Sequence, residues 1–136
     1  MDRIERYGDA QPLAEAALAK DAATQVRDSF RVTRTARLEG IEENKWIYDR
    51  VQQSTKMINA MSYRFDLTGF SERIQYSVYH GCEGGHYDWH VDQGPLVTRR
   101  KLSLSLQLID PSQYEAGELE FLPAAAPKQP HATAAC

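Results

Sequence analysis

Tyr87-Asp-Trp-His-Val-Asp92, followed by Lys101-Leu-Ser-Leu-Ser-Leu-Gln-Leu-Ile109, is the part of the chain from which the fold is read. The second run alternates with period two. Leu102, Leu104, Leu106 and Leu108 share one face, and Ser103, Ser105 and Gln107 share the other. That is the pattern of a strand with one buried face. In the first run, His90 and Asp92 are two apart, so on a strand they project together while Val91 points away. An imidazole beside a carboxylate supplies two of the three protein ligands of a facial triad, which leaves positions open on a ferrous ion. The alternative is a surface strand whose His and Asp share a hydrogen bond.

Outward from this centre, residues 74–79 alternate in the same way: Ile74, Tyr76 and Val78 against Gln75, Ser77 and Tyr79. Gly81, Gly84 and Gly85 mark a turn before a short strand over 87–91. Residues 111–117 read as a polar turn, after which Leu119 and Phe121 begin a further strand. Upstream, 42–60 predicts a helix. Ile47, Val51, Ile58 and Met61 fall on one stripe, and Glu42 and Glu43 suit the positive end of the helix dipole. Residues 11–30 predict another helix, with Pro12 in its first turn, and 31–40 reads as strand or irregular. Two helices and then consecutive antiparallel strands describe an α+β chain with a mostly β core. The expected architecture is a jelly roll, or double-stranded β-helix, with flanking N-terminal helices.

The ordered set resembles the iron- and 2-oxoglutarate-dependent dioxygenases, on their prolyl-4-hydroxylase-like side. It runs through Arg64-Phe-Asp-Leu-Thr-Gly-Phe70, Ile74-Gln-Tyr-Ser-Val-Tyr79, Gly84-Gly-His-Tyr-Asp-Trp-His-Val-Asp92, Arg100-Lys-Leu-Ser-Leu-Ser-Leu-Gln-Leu108 and Asp110-Pro-Ser-Gln-Tyr-Glu-Ala-Gly-Glu-Leu-Glu-Phe121. The resemblance implies Fe(II) bound by His90 and Asp92, 2-oxoglutarate and O2 as co-substrates, and ascorbate as a possible helper. It implies hydroxylation of a peptidyl prolyl or other amino-acid or peptide C–H bond, with succinate and CO2 as co-products. Tyr79 and Tyr87 stand where related hydroxylases hydrogen-bond 2-oxoglutarate. The family's third ligand is a distal His followed by a basic residue that pairs with 2-oxoglutarate. Here the downstream candidate is His131, in a Pro-containing segment without strand alternation, and no Arg or Lys follows it. The expectation is therefore one C-terminally truncated domain over 1–136, with helical support over 1–61, jelly-roll strands over 62–123 and an irregular tail over 124–136. A homo-oligomer would complete its cut sheet. The competing readings are a catalytically incomplete jelly-roll binding fragment and a cupin-like small-molecule binder.

Composition agrees with a globular domain: 42% hydrophobic, 26% charged, net charge −3. The acidic balance argues against nucleic acid as a partner and leaves a peptide or small-molecule substrate. There is no run suited to a membrane span and no apolar leader, and two cysteines do not make a disulfide framework. The expected compartment is the cytoplasm, where reducing conditions keep iron ferrous.

Overall fold

A computed structural model describes residues 2–15, 31–92 and 99–122. Its regular elements are α1 (Asp2–Asp9), β1 (Ala14–Glu15), β2 (Arg31–Val32), β3 (Arg34–Leu38), α2 (Lys45–Ile58), β4 (Ile74–Val78) and β5 (His86–Tyr87). They form a three-stranded sheet in the order β1-β3-β4 and a two-stranded sheet of β2 and β5. The chain is thus mixed α+β with small antiparallel sheets, and the described residues contain no closed barrel. It divides into two compact units. One gathers Met1–Ala10, Arg37–Tyr76 and Val91–Leu108; the other gathers Gln11–Ala36, Ser77–His90 and Ile109–Cys136.

The first unit is organised around the start of α2. Asn44 is buried, and its side-chain oxygen accepts from the Ile41 N–H at 3.2 Å, closing the turn that launches the helix. Lys45 and Asp49 pair one turn apart on the exposed face. Ile47 is 2% exposed, yet the stripe expected to continue through Val51, Ile58 and Met61 loses its cover, and Met61 is 76% exposed. The helix runs on into a π turn, Asn59–Tyr63, and stops at Arg64 in the left-handed region (φ 57°). The Asn59 side chain then holds the Phe65 main chain through its carbonyl (2.9 Å) and its N–H (3.0 Å). Tyr48 ties the helix to the strands: its hydroxyl donates to the Leu38 carbonyl at 2.6 Å and accepts from the Ile74 N–H at 3.1 Å. The Arg3 guanidinium lies over the Trp46 ring, 4.1 Å from its centre.

In the second unit, β1 and β3 pair antiparallel with Ala14 opposite Thr35 and Glu15 opposite Arg34. Strands β2 and β5 pair antiparallel with Arg31 opposite Tyr87 and Val32 opposite His86. Thr33 is buried and its hydroxyl donates to the Val78 carbonyl at 2.9 Å. Arg34 and Glu83 form an exposed ion pair. The expected polar turn is present: Asp110 caps a 3-10 turn, Pro111–Gln113, by accepting from the Ser112 N–H.

Three expectations are corrected. Residues 11–15 do not open a helix; Ala14 and Glu15 pair with β3, and sheet pairing overrides alanine's helix preference. The rest of that span, 16–30, lies outside the described residues. Residues 101–108 form no strand despite their alternation, and Leu104 and Leu106 are 53% and 54% exposed. Leu119 and Phe121 are likewise exposed and not in a strand. Alternation supplies a potential apolar face, but a strand exists only through a paired neighbour.

Candidate functional site

The residues around His90 are set by the glycine turn before them. A 3-10 turn, Gly81–Glu83, ends at Gly84 with φ 67°, a conformation that favours glycine. Gly85 donates to the His80 carbonyl at 2.9 Å, and a Cβ there would meet His80 backbone atoms at 2.7 and 2.8 Å. His86 then places its Nδ1 2.7 Å from the Gly84 carbonyl as β5 begins. Cys82, in the same turn, is not a free thiol.

Strand β5 ends at Tyr87, so neither His90 nor Asp92 belongs to a strand, contrary to the expected strand over 87–91. The Asp88 carboxylate accepts the Trp89 N–H at 2.7 Å, a local turn that competes with strand pairing. The Asp88 carbonyl lies 2.8 Å from His90 Nδ1. A carbonyl only accepts, so Nδ1 is the nitrogen placed to donate to it, and Nε2 is the other ring nitrogen. The Tyr87 ring stacks on the His90 ring, with centres 3.7 Å apart and planes 15° apart, and the Arg31 guanidinium lies 4.3 Å from the Tyr87 ring centre. His90 is exposed and Tyr87 half-buried.

Asp92 belongs to the other unit. Its carbonyl accepts from an Arg100 guanidinium nitrogen at 2.7 Å, and that nitrogen is 3.8 Å from its carboxylate. Arg100 also pairs with Glu72 at 2.6 Å and is 19% exposed. Tyr79 follows β4 and is exposed, and His131 lies outside the described residues. Among the described residues, no three His, Cys, Asp or Glu side chains are gathered to hold a metal ion.

Two contributions were not visible in the sequence. Arg100 stands in the basic run Arg99-Arg100-Lys101, which in sequence does not reveal that it grips the main chain at Asp92. Arg31 carried no signal, because its approach to Tyr87 comes from the pairing of β2 with β5. The first unit also holds an open cavity of about 610 Å³ walled by Tyr48 and Phe70 and edged by the ion pairs Arg73–Glu39 and Arg37–Glu72.

No family model matches the chain, and neither curated proteins nor solved structures give a match. Within the described residues, no helix is long and apolar enough to cross a membrane.

Proposed function

We propose that this chain is a dioxygenase-type hydroxylase, dependent on Fe(II) and 2-oxoglutarate, built on a double-stranded β-helix plan. Its substrate is a peptidyl prolyl or other amino-acid or peptide C–H bond. The observation that carries this reading is the orientation of His90: its Nδ1 lies 2.8 Å from the Asp88 carbonyl, as in histidines that ligate metals through one nitrogen and are oriented through the other.

By their chemistry, an imidazole at His90 and a carboxylate at Asp92 would both suit a ferrous ion. His131 is the candidate for the third position. When bound, iron with 2-oxoglutarate and O2 supplies the oxidation of an unactivated C–H bond, giving succinate and CO2. The chain's own residues orient and support. Tyr87 braces the His90 ring by stacking, and Arg31 lies over Tyr87. Arg100 fixes the main chain at Asp92. Tyr79 and Tyr87 offer hydroxyls to the co-substrate.

The test is succinate release from 2-oxoglutarate with ferrous iron and a panel of proline-containing peptides. Turnover abolished by His90→Ala is the expected result. A chain that binds iron but yields no succinate with any peptide would instead be a binding protein.

A further inference from the structure

The unassigned feature is the run over residues 101–109. It reads as a strand in the sequence, yet among the described residues it makes no backbone hydrogen bond to a neighbour. Leu104 and Leu106 stand more than half exposed. Residues 102–109 carry no charge, proline or glycine, so nothing in the segment opposes β-pairing.

The sequence of this run is complementary to itself. Two copies laid antiparallel with Ser105 opposite Ser105 put Leu104 against Leu106, Leu102 against Leu108 and Ser103 against Gln107. Leucine meets leucine on one face; on the other Ser105 meets Ser105 and Ser103 meets Gln107, with Lys101 opposite Ile109 at its ends. The same register places Arg100 of each copy opposite Asp110 of the other, opposite charges at both ends, although Arg100 is also held by Glu72 and the Asp92 carbonyl. Neighbouring registers lose this. Moving the centre to Leu104 sets Leu108 opposite Arg100, and moving it to Leu106 sets Leu102 opposite Asp110.

We infer that residues 101–109 are a strand that pairs with the same segment of a second copy, antiparallel about Ser105. The partner strand supplies the backbone donors and acceptors that the described chain does not, and the two leucine rows cover each other. The leucine and serine pairings do not depend on the metal reading, and Arg100 is the residue the two share.

Cysteine cross-linking tests both pairing and register. Opposed residues of an antiparallel pair have Cα atoms about 4.5–5.5 Å apart, within disulfide reach. Ser105→Cys therefore cross-links two copies under mild oxidation, whereas Gln107→Cys, on the same polar face but opposite Ser103, does not. The unsubstituted chain sets the background from its native cysteines. In sedimentation equilibrium the parent chain dimerises, and Leu104→Lys, with unchanged circular dichroism, dimerises at least about tenfold more weakly because it places a charge in the leucine layer. Equal cross-linking at 105 and 107, or a monomer at every concentration, overturns the inference.

Discussion

The Tyr76 hydroxyl donates to the Asp9 carboxylate at 2.7 Å, joining β4 to the last residue of α1. Gly8, immediately before, lies so close that a Cβ would meet the Tyr76 ring at 2.5 Å. The helix is thus anchored to β4 through Asp9 and Gly8, alongside Arg3 over the Trp46 ring.

Tyr76→Phe should lower unfolding stability by about 1 kcal/mol, the net worth of one such bond. Gly8→Ala should do more. Helix propensity favours alanine by up to about 1 kcal/mol, but crowding a packed ring costs about 1–3 kcal/mol, so the clash decides the sign. Urea unfolding of both variants measures this; a stabilised Gly8→Ala would contradict the packing.

Burial raises the Tyr76 hydroxyl above its ordinary value of 10.0, and the hydrogen bond to Asp9 and the charges of Asp9 and Glu5 add to the shift. The folded state therefore keeps this proton when the unfolded state has lost it. The contribution to stability is full below about pH 10 and drains away as pH rises further. Comparing the parent chain with Tyr76→Phe across pH 8 to 11 should show the parent losing its advantage above about pH 10. A constant difference would refute the coupling.

Tyr48→Phe removes two bonds at once and leaves the Leu38 carbonyl and the Ile74 N–H without that partner. The expected loss is about 1–3 kcal/mol, larger than for Tyr76→Phe because two partly buried main-chain groups are stranded. Equal losses in the two variants would mean that water replaces the Tyr48 hydroxyl.

The glycine turn should discriminate between its members. Gly84→Ala is strained by its positive φ and costs about 1 kcal/mol. Gly85→Ala forces a Cβ onto the His80 backbone and must shift the main chain entering β5. Only the second should change the near-ultraviolet signal of the stacked Tyr87 and reduce iron binding at His90. Similar spectra for the two variants would remove the turn from the site's support.

Much of this organisation is legible in the residues. The stripe at Ile47 and the acidic Glu42 and Glu43 place α2, alternation places β4, and glycine spacing places the turn before His86. What escapes the sequence is non-local. Helix α1 shows few apolar residues and is held through Trp46 and Tyr76, both distant in the chain. Residues 101–109 alternate as well as β4 does, but alternation cannot say whether a partner strand lies alongside. At the site, the His-x-Asp pattern identifies the side chains, while Asp88 shapes the chain around His90 and Arg31 and Arg100 arrive from elsewhere.

The most direct measurement is an anaerobic titration of the protein with ferrous iron and 2-oxoglutarate, followed by visible absorption. The proposed chemistry requires a weak charge-transfer band that saturates with both components and disappears in His90→Ala and Asp92→Ala. A band that survives both substitutions, or no band in a folded parent chain, would contradict it.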